Sequence, residues 1–219
     1  MESFRLPHLS ARYVDDNFTT EGYREHVLPA LSAGKGVIIA LPHLGGWEWA
    51  GRWLADQGHR ITAVVERLEP PEVFEWFAEL RSDLGMNVVP LGPDAAKELV
   101  AALGRNEVVC LLSDRDLQRS GVEVDFFGET TTLPAGPAVL SLRTGAPIVP
   151  TAVYFADRRS DRHVGVVRPP LDTERTAAGF RADVARVTQS LARELEVLIA
   201  RAPQQWHLFQ PNWPSDPGY

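Results

Sequence analysis

A histidine and a glutamate five positions apart form the stretch of this sequence best suited to chemistry. His43 follows an apolar run at 37–41 and precedes Gly45, Gly46 and Glu48. The run predicts a buried strand, and the residues after it have helical spacing, so His43 lies in the turn between a strand and a helix. Because open parallel sheets place their ligand sites at the carboxyl ends of strands, the sequence predicts a chemical site at this turn.

The spacing of His43 and Glu48 determines how their side chains can meet. On one helix they would lie about 140° apart, because each residue advances roughly 100°. They can face each other only if His43 stays in the turn and Glu48 lies in the first helical turn. A carboxylate so placed would fix the tautomer of the imidazole and prepare it as a general base. A half-buried histidine bonded to the backbone explains the same residues, and this stretch alone does not distinguish the two interpretations.

Two further predicted strands also end in charged residues. Glu66 and Arg67 follow one of these strands, and Asp114 follows the other. The carboxyl ends of neighbouring parallel strands meet at one edge of a sheet. We therefore expect His43, Arg67 and Asp114 to line one crevice.

Short apolar runs alternate with amphipathic segments along most of the chain after an irregular lead-in over residues 1–20. This alternation is typical of a parallel sheet covered by helices on both faces. We predict the α/β class: one domain over residues 1–219, an α/β/α sandwich with a mostly parallel central sheet flanked by helices. The expected strands are 37–41, 61–65, 87–91, 107–112 and 147–155, with 163–167 as a hairpin partner; the expected helices are 20–32, 47–57, 70–84, 94–103, 133–145 and 176–202.

The composition excludes several classes of protein. The chain has 219 residues, 44% hydrophobic and 23% charged, as in an ordinary soluble globular protein. Its net charge of −7 argues against generic nucleic-acid binding but is compatible with a local basic pocket. No apolar run approaches the roughly 18 residues that span a bilayer, and no signal peptide is present, so we expect neither membrane spanning nor secretion. Cys110 lies in an apolar run and is expected to be a buried small side chain, not a nucleophile.

Three segments together resemble a known family. They are residues 41–48, 114–129 and 133–137. In combination they are similar to the bacterial lysophospholipid acyltransferase superfamily, and within it to the lipid A lauroyl/myristoyl acyltransferase branch. The similarity is strongest to the actinobacterial phosphatidylinositol mannoside acyltransferases, and it covers nearly the whole chain, from about residue 4 to residue 213.

The resemblance implies transfer of a fatty acyl group from an acyl-CoA or acyl-carrier thioester to a sugar hydroxyl of a glycolipid. It implies a peripheral protein at the cytoplasmic face of the inner (plasma) membrane, with acyl-CoA as donor substrate and no cofactor or metal. It assigns His43 as the catalytic base, Glu48 as its acidic partner, and Asp114 to a position where close relatives carry a glutamate beside the histidine. The charged residues expected to line the donor and acceptor site are Glu66, Arg67, Arg81, Arg115 and Asp116.

Family members usually carry additional N-terminal helices, which contribute in relatives to membrane association and to the acyl groove. This sequence begins near the acyltransferase core. We therefore expect those helices to be absent from this chain.

The chemistry fits the residues directly. A hydroxyl that attacks a thioester must lose its proton as the bond forms, and imidazole titrates near neutral pH, so His43 is suited to deprotonate a mannose hydroxyl. We expect Glu48 or Asp114 to orient the ring. Backbone N–H groups around Gly45 and Gly46, or an arginine, would stabilise the tetrahedral oxyanion. Arginines near the crevice would bind the phosphates of the donor or of the lipid head group.

Two other functions fit parts of the sequence. Asp114-Arg115-Asp116 is a D-x-D triplet, and many nucleotide-sugar glycosyltransferases hold Mn²⁺ or Mg²⁺ through such carboxylates. An inactive glycolipid-binding relative would keep the same fold. A serine hydrolase is disfavoured because the pattern G-x-S-x-G is absent from the sequence.

Overall fold

The structure, a computed structural model, describes residues 4–66, 69–116, 119–157 and 160–219. These residues form nine strands and seven α-helices. The strands are β1 (Phe18–Glu21), β2 (Val37–Leu41), β3 (Ile61–Val65), β4 (Met86–Pro90), β5 (Val108–Leu112), β6 (Val122–Phe126), β7 (Glu129–Leu133), β8 (Ile148–Phe155) and β9 (His163–Val167). The helices are α1 (Ala11–Asp16), α2 (Leu28–Ser32), α3 (Trp47–Asp56), α4 (Pro71–Asp83), α5 (Ala95–Gly104), α6 (Gly136–Thr144) and α7 (Phe180–Arg201).

The central sheet has seven strands in the order β1-β9-β8-β2-β5-β3-β4 within the described residues. All of its strand pairs are parallel except β8 with β9. Strands β6 and β7 form a separate antiparallel hairpin. The mostly parallel sheet flanked by helices confirms the predicted α/β class, and the adjacent order β2-β5-β3 places the three charged strand ends side by side.

The core has two halves, one on each face of the sheet. All five residues of β2 are buried, which explains why the strand is a continuous apolar run rather than an alternating one. Ile38 and Ala40 face the half that contains α5, α6 and α7. Val37, Ile39 and Leu41 face the half that contains α1 and α3. Within the described ranges, no helix is both long enough and apolar enough to cross a bilayer.

The first strand contradicts the expected lead-in and helix. Residues 18–21 form edge strand β1, and Gly22 follows at a φ of +81°. A π-helical turn at Tyr23–Val27 then leads into α2, so of the range 20–32 expected as one helix only the last five residues are α-helical. A strand of four residues has too few positions for a periodic pattern. Its strand conformation comes from pairing with β9, in which Phe18 aligns with His163.

The hairpin and the last helix also differ from expectation. Phe127 and Gly128 both have positive φ, the backbone of a tight two-residue turn, and this turn joins β6 to β7. Leu133, expected to open a helix, is the last residue of β7, and α6 begins at Gly136. Helix α7 begins at Phe180 rather than at residue 176, and the Thr176 N–H and hydroxyl instead donate to the carboxylate of Asp183 in α7.

Cys110 lies in the middle of β5, is partly buried and provides a test of how far its thiol is desolvated. Its thiol borders an apolar cavity, and burial raises its pKa to about 12. Only the thiolate is nucleophilic, so about one thiol in ten thousand would react at pH 8. We expect iodoacetamide to leave the folded protein unlabelled over minutes and to label it fully in urea, as measured by intact mass. Equal labelling rates in the two conditions would contradict this burial.

Candidate active site

The register of two neighbouring strands brings His43 and Asp114 together. Leu41 of β2 pairs with Leu112 of β5, at the last position of each strand. The Ser113 N–H donates to the Leu41 carbonyl at 2.9 Å and so continues the ladder past the strand ends. His43 and Asp114 each lie two residues beyond the paired leucines. They are therefore neighbours at the carboxyl edge of the sheet.

Asp114 is completely buried and binds His43 through both of its oxygens. The His43 ring Nδ1 lies 2.7 Å from Oδ1, and the His43 backbone N–H donates to Oδ2 at 3.0 Å. A ring nitrogen facing an ionised carboxylate carries the proton, so Nδ1–H is the donor and Nε2 keeps its lone pair. The His43 side chain lines a large cleft. This arrangement leaves Nε2 of His43 free of the Asp114 contact and able to accept a proton.

The electrostatics of the pair keep Asp114 ionised. Burial acts to raise the pKa of Asp114, but the hydrogen bonds and charge of His43 and a hydrogen bond from Trp206 outweigh it, so its pKa lies below the ordinary value. The Trp206 indole N–H donates to Oδ2 at 2.7 Å. Trp206 is the site residue that the sequence analysis missed. No local pattern links an indole to a carboxylate 92 positions away.

The C-terminal segment runs alongside the turn that carries His43. The His207 N–H donates to the His43 carbonyl at 2.7 Å, and the Gly45 N–H donates to the Gln205 carbonyl at 3.1 Å. This segment comprises residues 205–213. In the structure, the start of this segment is bonded directly to the candidate catalytic turn.

Gly45 and Gly46 allow the close approach of this turn to its neighbours. Gly45 has a φ of +60°, and a Cβ there would overlap the Val153 carbonyl oxygen. A Cβ at Gly46 would lie 2.7 Å from the His163 ring. The Gly45 N–H, expected as an oxyanion donor, donates to the Gln205 carbonyl in this structure. Neither glycine is among the residues that line the cleft.

Glu48 lies in the first turn of α3, as predicted, but it binds a different partner. Its carboxylate accepts from Arg81 at 3.1 Å, and the Arg81 guanidinium lies 4.9 Å from the centre of the Trp47 ring. Within the described part of the chain, the recorded hydrogen bonds and ion pairs join His43 to Asp114 and not to Glu48. Of the two carboxylates expected to orient the ring, the structure selects Asp114.

Arg115 connects the end of β5 to the end of β3. Its guanidinium donates to the Glu66 carboxylate at 3.0 Å and also to the Gln210 side chain. Arg115 and Glu66 both line the cleft, where they were predicted to lie. Arg67, predicted beside them, lies outside the described residues.

The D-x-D triplet does not form a pair of available metal ligands. Asp114 is buried against His43, and Asp116 accepts from the Gly121 N–H at 2.6 Å and the Thr132 hydroxyl at 2.9 Å. The described residues contain no cluster of three or more acidic, histidine or cysteine side chains that would hold a metal ion. Nothing in these contacts favours the glycosyltransferase alternative.

Two adjoining spaces lie near the end of β2, and His43 lines the larger one. The cleft has a volume of about 970 Å³, and a second cavity of about 60 Å³ with almost entirely apolar walls lies between the sheet and α3. The residues that border both spaces are Leu41, Trp47, Ala63 and Cys110. The basic residues that line the cleft are Arg81, Lys97, Arg115 and Arg143. The cleft that His43 lines therefore carries several cations and adjoins a small apolar cavity.

Comparison with known proteins supplies a family. A family model described as bacterial lipid A biosynthesis acyltransferase matches residues 1–215. The chain is 41% identical over 219 residues to a phosphatidylinositol mannoside acyltransferase of Mycobacterium tuberculosis, covering 98% of this chain and 66% of that protein. It is 40% identical over 218 residues to a protein of the same description from Mycolicibacterium smegmatis, covering 98% and 68%. The chain thus spans about two thirds of the length of these curated relatives.

The packing of the turn that carries His43 predicts a large difference in stability between two glycine substitutions. Gly45→Ala adds both positive-φ strain and overlap with the Val153 carbonyl, so we expect it to lower the free energy of unfolding by about 3 kcal/mol or more. Gly58→Ala is the matched control, because Gly58 has a φ of +87° and no atom within 4 Å of the added Cβ. It should cost about 1 kcal/mol. Urea unfolding measures both, and equal losses would contradict the close approach.

The lowered pKa of Asp114 predicts a pH-dependent contribution to stability. The ionised form is stabilised in the folded state, so the contribution is complete above the ordinary value of 3.8 and is lost as pH falls through the lower folded value. The difference in unfolding free energy between wild type and Asp114→Asn should therefore shrink as pH falls below 3.8. Urea unfolding from pH 7 to pH 3 measures it, with exposed Asp94→Asn as control. A constant difference across this range would refute the prediction.

Proposed function

The chain belongs to the bacterial lipid A biosynthesis acyltransferase family, and we propose that it transfers a fatty acyl group from acyl-CoA to a mannose hydroxyl of a phosphatidylinositol mannoside. The observation that carries the proposal is the pair formed by His43 and Asp114. A buried, ionised carboxylate holds Nδ1–H of the ring, which leaves Nε2 as a base at the wall of a basic cleft. The description of the two mycobacterial relatives supports the choice of acceptor.

The residues suit a direct transfer. Nε2 of His43 takes the proton of the acceptor hydroxyl while its oxygen attacks the thioester carbonyl carbon. Asp114 stabilises the imidazolium that forms. Collapse of the tetrahedral oxyanion then breaks the carbon–sulfur bond, and the departing CoA thiolate receives the proton from the imidazolium. The products are the acylated glycolipid and free CoA, so neither a metal nor a further cofactor is required.

We assign stabilisation of the oxyanion to an arginine of the cleft. The N–H of Gly45 is already bonded to the Gln205 carbonyl. The Nε–H groups of Arg81 and Arg115 are buried and have no hydrogen-bond partner among the described residues. A buried donor without a partner is costly, so each is suited to a substrate oxygen. Both side chains line the cleft that His43 borders.

The two spaces around His43 match the two parts of an acyl-CoA. The apolar residues that line the cleft, and the small cavity that adjoins them, suit the fatty acyl chain because burial of methylene groups is favourable. Lys97 and Arg143 line the cleft, and cations there suit the phosphates of the donor or of the lipid head group. The thioester would then lie between them, beside His43.

We place the protein at the cytoplasmic face of the inner (plasma) membrane, as a peripheral protein. The acceptor is a lipid, so its sugar must reach His43 while its acyl chains stay in the bilayer. Leu91 and Val100 line the cleft and are 41% and 43% exposed, which offers apolar contact to a lipid surface near the site.

The test is release of free CoA from palmitoyl-CoA, with and without a phosphatidylinositol mannoside acceptor. We expect release that depends on the acceptor and falls by roughly three powers of ten or more in His43→Ala, because the base is lost. His207→Ala is the matched control. It removes a nearby exposed imidazole but keeps the backbone N–H that bonds to His43, and it should retain wild-type activity.

Three outcomes would overturn the proposal. Near-wild-type activity of His43→Ala would remove the assigned base. Binding of the glycolipid by the wild type without CoA release would favour the inactive relative. Activity that is lost with a chelator and restored by Mn²⁺ would favour a metal-dependent enzyme.

A further inference from the structure

A tryptophan from the C-terminal segment completes the set of donors around Asp114. Oδ1 faces the His43 ring, while Oδ2 receives the Trp206 indole N–H at 2.7 Å and the His43 backbone N–H at 3.0 Å. A hydrogen bond to an ionised carboxylate is roughly twice as strong as one between neutral groups. The indole therefore restricts rotation of the Asp114 carboxylate, and the carboxylate in turn orients the His43 ring.

We propose that Trp206 is a positioning residue for the acyl transfer, one that holds the Asp114 carboxylate so that Oδ1 keeps the His43 ring in its Nδ1–H tautomer. The inference rests on the proposed function, since it names the residue that orients the base of that reaction. Without the indole donor, Oδ2 would keep only the backbone N–H of His43, and the carboxylate would lose a fixed orientation about its χ2 angle.

The segment that carries Trp206 is fastened on both sides, so the indole is held in place. On one side the Gln205 side chain accepts from the Phe155 N–H at 2.8 Å and donates to the Phe155 carbonyl at 3.1 Å. On the other side the Asn212 side chain donates to the Asp114 carbonyl at 3.3 Å. These bonds fix the backbone around Trp206 independently of its indole N–H.

The neighbourhood of Asp114 leaves few other groups that could set its orientation. His43 is the titratable side chain that bonds to its carboxylate within the described ranges. Arg115, the next residue along the chain, is directed at Glu66 and Gln210 instead. The position of the carboxylate is thus set by the His43 turn and by Trp206.

Trp213 provides an internal comparison from the same segment. Its indole N–H donates to the Phe126 carbonyl at 2.9 Å, and its ring stacks on Phe126 at 5.8 Å between centres. Trp206 also packs against Phe126, with ring centres 6.2 Å apart. Both indoles thus anchor the segment on the hairpin formed by β6 and β7. Only the Trp206 N–H acts on the catalytic pair.

The experiment compares Trp206→Phe with Trp213→Phe. Each keeps an aromatic ring and removes one indole N–H. We expect Trp206→Phe to lower kcat for CoA release by about tenfold with little change in KM for palmitoyl-CoA, because the lost bond orients the base and does not bind substrate. Trp213→Phe should keep the wild-type kcat. Thermal unfolding of both variants checks that the folded state is retained.

A second readout needs no turnover. ¹⁵N NMR of ring-labelled histidine reports which nitrogen of neutral His43 carries the proton. We expect the Nδ1–H form in wild type and in Trp213→Phe, and a mixture of both tautomers in Trp206→Phe. If the wild type releases no CoA, the proposed function fails, while this spectrum still decides whether Trp206 controls the ring.

A double-substitution test separates positioning from general support. In the Asp114→Asn background, Trp206→Phe should cause no further loss of kcat, because its target carboxylate is gone. The proposal is overturned if Trp206→Phe keeps both the wild-type kcat and the single tautomer. It is equally overturned if Trp213→Phe shows the same losses, or if the losses add in the double variant.

Discussion

The buried charge of Asp114 is the constraint on which the rest of the site depends. An ionised carboxylate removed from water is costly unless donors surround it. Here the donors come from two segments far apart in sequence, the turn after β2 and the C-terminal segment. The turn must therefore present both the backbone and the ring of His43, and the C-terminal segment must return across the sheet edge to present the Trp206 indole. The donors that stabilise the Asp114 charge thus also fix the orientation and tautomer of the His43 ring and the position of the C-terminal segment.

This requirement explains features of the fold that appear unrelated to chemistry. The pairing of Leu41 with Leu112 makes the two strand ends level, so His43 and Asp114 meet without a long loop. Gly45 adopts a positive φ because the turn packs directly on β8 and the C-terminal segment. Parallel strands therefore supply the alignment, and the glycine turn supplies the close approach. Both features bring hydrogen-bond donors to the buried charge of Asp114.

The roles of the two acidic residues near the histidine are also clarified by packing. Glu48 lies five positions after His43, yet its carboxylate pairs with Arg81 across α3 and α4. That ion pair holds the arginine beside Trp47 at the wall of the cleft. Glu48 therefore shapes the cleft by fixing a cation, while Asp114 acts directly on the imidazole. The two carboxylates have different partners because Glu48 lies on α3 and Asp114 follows β5.

The sequence by itself determined the parallel sheet, the position of His43 in a strand-to-helix turn and the gathering of charged strand ends, because buried strands and helices repeat locally along the chain. Tertiary structure decided the rest. Strand β1 is too short for a pattern and exists only through its pairing with β9. The choice of Asp114 over Glu48 depended on the register of β2 and β5, which no local spacing encodes. The indole of Trp206 reaches the site only because the C-terminal segment packs against the end of β5, and a contact across 92 positions depends on the whole fold.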